Sequence, residues 1–335
     1  MRDILQKVVE GIDLTGEEAR AAMDTIMSGQ ATGAQIGGFL VAMRVKGETV
    51  GEIAAFAEVM REKATRIDAG TDHVLDVVGT GGDSTGTFNI STVAAFVAAG
   101  AGIVVAKHGN RSVSSMCGSA DLMREIGINI DLPPDQVSTC LKQAGIAFLF
   151  APNLHLSMKH AIGPRRELGI RTFFNILGPL TNPAMARRLL LGVYSEALVE
   201  TIAGVLANMG CEHAFVVHGR DGLDEITTTG ETLVAEVRQG EVSVNVITPG
   251  EYGIPLAEPA DLKGGDAAEN RVIFDAVLSG ERGPKRDIVI LNAGYAIFAG
   301  GKAGTPGEGI RIAENSIDSG AAMEKYQALK ECSNA

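Results

Sequence analysis

Three short segments carry the residue types that hold a polyanion, and each follows a run that reads as a β-strand. The first is Gly79-Thr80-Gly81-Gly82-Asp83, continued by Asn89-Ile90-Ser91-Thr92 at the start of an alanine-rich helix. Glycine lets backbone amides approach phosphate oxygens, and a helix N-terminus adds the positive end of its dipole. The pattern is neither the P-loop, which needs Gly-Lys-Ser/Thr, nor the Gly-x-Gly-x-x-Gly of dinucleotide-binding folds. On its glycines alone, a strand-to-helix turn with positive φ explains the segment. Asn89, Ser91 and Thr92 shift the balance toward a ligand, although Ser91 is equally a candidate helix cap. The second segment is Lys107-His108-Gly109-Asn110-Arg111-Ser112-Val113-Ser114-Ser115. Here Lys107 and Arg111 supply cations, Gly109 permits close approach and the serines supply donors. The third runs from His218 to Ile226 and contains the adjacent carboxylates Asp224 and Glu225. Such a pair beside an anion site suits Mg²⁺, which is held by one or two carboxylates plus phosphates and waters.

Taken singly, the second and third segments also read as polar surface turns. With the first they lie at the carboxyl ends of strands along one edge of a parallel sheet, where ligands bind. An aspartate at position 83, where many anion loops have lysine, makes sense if the ligand carries hydroxyls and a metal as well as phosphate. The three loops therefore point to a sugar polyphosphate bound with Mg²⁺. No Ser-His-Asp order, nucleophilic cysteine motif or spaced glycosidase carboxylate pair stands out. Positioning and charge stabilisation are the expected means of catalysis.

The loops need a scaffold that brings strand ends together. Strands are expected at Val74–Val78, Ile103–Ala106, Ala147–Phe150, Leu189–Val193, Ala214–His218 and Leu233–Val237. Helices are expected at Ser91–Ala99, Ser119–Ile126, Pro134–Ala144 and Glu196–Met209, with closing helices at Arg271–Leu278, Asp287–Ala299 and Ala321–Lys330 and a glycine-rich turn over Gly300–Gly309. This alternation implies an α/β domain with a mostly parallel sheet. The first seventy or so residues read instead as short helices. Thr15, Thr32 and Thr49 each precede Glu or Gln by three residues, the signature of a capping box. The expected organisation is a helical domain over 1–70 and an α/β domain over 71–335. The segment Gly163–Pro183, rich in arginine and proline, breaks the alternation and reads as a crossover between them, near 163–190.

Composition bounds the rest. The chain has 335 residues and a formal charge of −12, which argues against broad nucleic-acid binding. Cys117, Cys140, Cys211 and Cys332 form neither a CxxC nor a zinc-ligand spacing, so reduced thiols in the cytoplasm are expected. The apolar run Val93–Ala106 is too short to span a membrane, and the charged first residues do not read as a signal peptide.

The combined motifs resemble those of the anthranilate phosphoribosyltransferase family. The resemblance rests on GTGGD (Gly79–Asp83), FNIST (Phe88–Thr92), KHGNRSVSS (Lys107–Ser115), GSADLMREIGI (Gly118–Ile128), RTFFNILGPLTNPA (Arg171–Ala184) and DGLDEIT (Asp221–Thr227), and it runs the length of the chain. It implies a small helical domain hinged to a large α/β domain of the nucleoside phosphorylase type, and a homodimer formed through the helical domains. The implied reaction is transfer of a phosphoribosyl group from phosphoribosyl pyrophosphate to anthranilate. By motif position, Gly79, Gly82, Asp83, Thr87, Asn89, Ile90, Ser91, Thr92, Lys107, His108, Gly109, Asn110, Arg111, Ser112, Val113, Ser114, Ser115 and Ser119 correspond to the pyrophosphate-donor site. Ser91, Asp224 and Glu225 correspond to ligands of Mg²⁺, with two ions expected. Gly79, His108, Asn110, His155, Arg165, Gly178 and Pro179 correspond to the anthranilate path or pocket. Asp83, Lys107, Arg111 and Arg165 are the expected catalytic set. The residues themselves support Arg165, since guanidinium pairs with carboxylate, whereas a lone His155 would more often be a surface or core histidine. Two departures stand out: Met116 where many members have lysine, and Leu156-Ser157 where Pro-Ala is frequent. A pyrimidine nucleoside phosphorylase and a nucleic-acid-binding relative are the competing readings. The RTFFNILGPLTNPA segment and the intact GTGGD argue against the first. The acidic charge and the retained Asp224-Glu225 pair argue against the second.

Overall fold

The computed structural model describes residues 1–83, 85–111 and 116–335. Four helices come first: α1 (Arg2–Val9), α2 (Gly16–Met27), α3 (Gly33–Lys46) and α4 (Val50–Lys63). Thr15, Thr32 and Thr49 cap α2, α3 and α4, each in the expected reciprocal bond with Glu18, Gln35 or Glu52. Glu52 does more than cap. Its buried carboxylate also accepts from the Leu14 amide at 2.8 Å and from Lys46 at 2.9 Å, so it ties three helix junctions together.

A seven-stranded sheet follows: β1 (Val74–Gly79), β2 (Val104–Gly109), β3 (Ile146–Phe150), β4 (Arg188–Gly192), β5 (His213–Gly219), β6 (Thr232–Arg238) and β7 (Glu241–Ile247), in the order β3-β2-β1-β4-β5-β6-β7. Strands β1 to β5 pair in parallel, and β6 and β7 add an antiparallel hairpin. The connections carry α5 (Ile90–Gly100), α6 (Ser119–Glu125), α7 (Pro134–Ala144), α8 (Ala151–Leu154), α9 (Lys159–Leu168), α10 (Phe174–Leu177) and α11 (Leu198–Asn208). The chain closes with α12 (Ala267–Leu278), α13 (Pro284–Ala299), α14 (Pro306–Asp318) and α15 (Ala321–Ser333).

The strands are apolar on both faces because both faces are covered. Leu190 and Val105 look into one core, shared with α5 and α13 to α15, and Leu189, Leu191 and Val216 look into the other. The second core passes under α11 and continues into the N-terminal helices. It is joined there by Phe173, whose ring stacks on Phe56 at 4.6 Å and meets Phe39 edge-on at 6.0 Å. Helix α9 lies against α2 and α3, with Ala161 fully buried. The arginine-rich segment thus carries the chain back onto the first helices before it rejoins the sheet at β4.

Six expected strands form. The elements not foreseen are α8, α9 and α10 around the crossover, strand β7 and helix α14. Strand β7 is an edge strand with one neighbour, so most of it is exposed and no buried run announces it. Its signal is the turn, where Gln239 and Gly240 both take positive φ as a two-residue hairpin requires. Helix α14 starts inside the stretch read as a glycine-rich turn. Thr305 caps it from the Glu308 amide at 3.2 Å, with Pro306 in the first turn.

Candidate active site

The ends of β1 and β4 are glycines held in register, Gly79 beside Gly192. Both are needed for the same reason. A Cβ on Gly192 would collide with the main-chain carbonyl of Asp224, and one on Gly79 with the Asp224 carboxylate. This close approach brings the loop after β5 over the tips of two neighbouring strands. Thr80 completes the junction, donating its amide to Gly192 O at 2.9 Å and accepting from the Tyr194 amide at 3.0 Å.

The two adjacent carboxyls then meet the backbone of the glycine loop and that of the first turn of α5. Asp224 Oδ2 accepts from the Gly81 amide at 2.7 Å, and Glu225 Oε1 from the Ser91 amide at 3.0 Å. Ser91 is therefore not the helix cap. Asn89 occupies that position without a side-chain capping bond, and Glu225 places an accepting carboxyl oxygen at the start of α5. Lys107 lies directly beneath, only 2% exposed, with Nζ donating to Val77 O at 2.6 Å and to Ser91 Oγ at 3.3 Å. Burial pushes Asp224 up to about 6, helped by Asp83. It pushes Glu225 up to about 8, helped by Asp224. Burial also lowers Lys107, against the pull of Asp76, Glu225 and Asp224. Two desolvated carboxyls this close resist carrying two negative charges, so Glu225 keeps its proton near pH 7, and a divalent cation with phosphate oxygens would let both ionise. Among the described residues no group of three or more His, Cys, Asp or Glu side chains is arranged to hold a metal by itself. The donor set fits Mg²⁺ completed by ligand oxygens.

A second cluster sits at the end of β2. Asp76, fully buried, accepts from the His108 amide at 3.0 Å and from Asn182 at 2.7 Å, while Asn182 also donates to Ala106 O at 2.8 Å. Burial raises Asp76 to about 6. His108 Nδ1 lies 3.1 Å from Gly178 O, and its ring is 5.1 Å from that of His155. His108 Nε2 and both ring nitrogens of His155 are buried without a hydrogen bond of good geometry. Burial lowers the two rings to about 3 and about 4, so both are neutral near pH 7. Pro179, next to Gly178 in sequence, is buried as well.

The remaining expected residues fall into three groups. Thr87 and Asn89 are tied within the protein. Thr87 bridges to Lys263, while Asn89 donates to Cys117 O and accepts from Asn270, each at 3.1 Å. Ile90 and Thr92 are buried in the first turn of α5. Gly109 is pressed by the Phe148 ring and Ser119, and Ser119 Oγ donates to Asn110 O at 3.2 Å. Asp83, accepting from the Thr85 hydroxyl, and Arg111, above the Phe150 ring at 5.9 Å, stand at the rim. Gly82, with positive φ, leaves its carbonyl to Arg171. Arg165 stands apart on α9 with its guanidinium 4.9 Å from the Phe174 ring centre. Ser112, Val113, Ser114 and Ser115 lie outside the described residues. Three participants were not singled out from sequence: Asp76, Asn182 and Arg171. Arg171 donates to Gly82 O at 2.6 Å and lies over Tyr194 at 4.3 Å, so the crossover segment clamps the glycine loop. Asp76 carried a signal, being a charge inside an otherwise apolar strand.

Comparison with known proteins agrees with this architecture. Residues 71–323 match the model of the glycosyl transferase family, a/b domain, and residues 2–64 that of the glycosyl transferase family, helical bundle domain. The anthranilate phosphoribosyltransferase of Trichlorobacter lovleyi is 53% identical, with 100% of each chain covered. The crystal structure of the Thermus thermophilus enzyme of the same name superposes with a TM-score of 0.95 at 41% identity, covering 99% of this chain and 100% of that one. The enzyme from Saccharomyces cerevisiae, solved in complex with PRPP and Mg, gives 0.91 at 29% identity, covering 99% and 97%. The chain belongs to the anthranilate phosphoribosyltransferase family.

Proposed function

We propose that this chain transfers the 5-phosphoribosyl group of phosphoribosyl pyrophosphate to the amine of anthranilate, giving N-(5-phosphoribosyl)anthranilate and pyrophosphate in tryptophan biosynthesis. The observation that carries the reading is the meeting of Asp224 and Glu225 with the Gly81 and Ser91 amides. A pair of desolvated carboxylates set against two anion-binding backbones suits a ligand that brings phosphate and a divalent cation together. The donor site comprises the glycine loop with Asp83, the start of α5, and the loop from Lys107 through Arg111 to Ser119. Ser91, Asp224 and Glu225 would hold Mg²⁺, two ions in this reading. When bound, the metal neutralises charge that builds on the departing pyrophosphate.

This chain's own residues do the rest. Arg111 at the rim faces the leaving group, and Lys107 holds the strand end and Ser91 in place from below. Asp83 binds ribose hydroxyls. The acceptor lies toward Gly79, His108, Asn110, His155, Gly178 and Pro179, where the two imidazole rings are buried. Arg165 orients the anthranilate carboxylate from α9. The amine nitrogen bonds to the anomeric carbon as the bond from that carbon to pyrophosphate oxygen breaks, and the nitrogen's proton passes to solvent. An aromatic amine needs no strong general base, which agrees with two histidines that burial makes weak bases. Closure of the helical domain on the α/β domain, about the crossover, excludes water from the donor.

The chain also pairs with a second copy through its helical domain. Helices α1 and α3 pack together, and Val9, Ile12, Val41 and Val45 stay exposed on or beside them. No helix is long and apolar enough to cross a membrane among the described residues, and a cytoplasmic location suits the reaction. The reading is tested by incubating the protein with anthranilate and phosphoribosyl pyrophosphate, with and without Mg²⁺, and separating the products. Metal-dependent phosphoribosylanthranilate is expected. Its absence from folded protein that still binds the donor would overturn the acceptor assignment.

A further inference from the structure

Away from this site the fold brings two thiols together. Cys140 lies midway along α7 and Cys332 in the last turn of α15, 192 residues apart in sequence, with their sulfurs 2.7 Å apart. No spacing pattern in the sequence links them. Cys140 is fully buried, while Cys332 is half-buried and opens on a cleft of about 340 Å³ lined by Gln143, Ala144, Ala328, Glu331, Cys332 and Ala335. A disulfide has its sulfurs about 2.05 Å apart, so bonding asks them to approach by only about 0.65 Å. The two helices are already docked. Lys325 of α15 donates to Ala144 O at 2.9 Å, and Tyr326 donates to Ile126 O at 2.7 Å. Cys211, by contrast, directs its thiol to Arg187 O at 2.9 Å, far from either.

We propose that Cys140 and Cys332 form an oxidisable dithiol, which a peroxide converts into a disulfide tying α15 to α7. The Cys332 thiolate attacks a peroxide oxygen; the S–O bond forms, the O–O bond breaks and water leaves. The Cys140 sulfur then attacks the resulting sulfenic acid; the S–S bond forms, the S–O bond breaks, and the second water carries away the Cys140 proton. Two thiols are oxidised and one peroxide is reduced. The accessible thiol reacts first and the buried one resolves it, which the cleft on the Cys332 side dictates. Closing so long a loop restricts the unfolded chain. The effect therefore falls on stability, since neither cysteine touches the loops of the active site.

The test treats the purified protein with equimolar hydrogen peroxide, blocks remaining thiols with iodoacetamide, and maps the peptides by mass spectrometry. The expected result is a linked Cys140–Cys332 peptide two hydrogens lighter than its parts, reversed by dithiothreitol. The melting temperature should rise by about 2 °C or more, and catalytic rate should stay within a factor of two. The rise should vanish in Cys332→Ser and in Cys140→Ala. The peptide map of the unsubstituted chain decides the matter even if Cys140→Ala folds poorly. Cys332 recovered as sulfinic acid with Cys140 alkylated, or cross-linked to a second chain through Cys332, would overturn the proposal.

Discussion

Asp224 and Glu225 occupy the very amides that a phosphate would seek, those of Gly81 and Ser91. At the scale of single residues this makes the carboxylates internal stand-ins for the ligand, and it predicts opposite responses to one pair of changes. Asp224→Asn with Glu225→Gln should lower Mg²⁺-dependent turnover by roughly two orders of magnitude. The same variant should bind metal-free pyrophosphate more tightly than the parent, because less negative charge guards the loop; calorimetry with pyrophosphate alone reads this directly. The raised Glu225 also has a stability consequence. Its carboxyl is held near 8 in the fold against an ordinary 4.5. The proton is retained in the folded chain while the unfolded chain has lost it, so stability is full below 4.5 and declines as pH rises toward 8. Glu225→Gln should therefore raise the melting temperature more at pH 8 than at pH 5. An equal effect at both values would show that the carboxyl is not desolvated. Which loops make up the candidate site was largely legible in the residues themselves. Glycine, hydroxyl and paired carboxylate types after strands picked out the loops that the fold brings together. What could not be read was the pairing between loops, because Asp224 reaches Gly81 across 143 positions, and nothing in either segment names the other.

Elements set the precision of that meeting. Strands β1 and β4 end in glycine so that the loop after β5 can lie against them, and the sheet register puts the two glycines side by side. Gly192→Ala should cost about 3 kcal/mol, since its methyl meets main chain that has no room to retreat; urea melts would measure it. A second control comes from the crossover segment, where Arg171 clamps Gly82 O and stacks on Tyr194. Arg171→Ala should raise KM for the phosphoribosyl donor several-fold and leave kcat within about threefold, since the loop loosens without losing a charge on the reacting atoms. Equal losses in kcat and kcat/KM would instead place Arg171 on the transition state. The elements foreseen were those with local signals. Three threonine caps and five strands of largely apolar character form where expected, as does the strand at Leu233–Val237. Edge strand β7 failed because half-wet alternation resembles a loop, and α14 failed because glycines masked the cap at Thr305.

At the scale of the molecule, Val45 of α3 is 82% exposed on the helical unit through which pairing with a second copy is proposed. Val45→Glu should shift a two-chain species toward single chains in light scattering, with the circular dichroism unchanged; a parent that is monomeric at all concentrations would remove the interface. The class of fold followed from alternation of strand and helix. The way the second core unites the first helices with the sheet did not, because it depends on a segment with no periodicity. That segment has a consequence for how the protein is made. On the ribosome, α1 to α4 emerge first, yet Phe39 and Phe56 must wait for Phe173, and α3 for α9, until three strands of the sheet have also left the tunnel. The nascent helical unit is thus finished by residues synthesised more than a hundred positions later. Its exposed aromatic surface during that interval is where a chaperone would be needed.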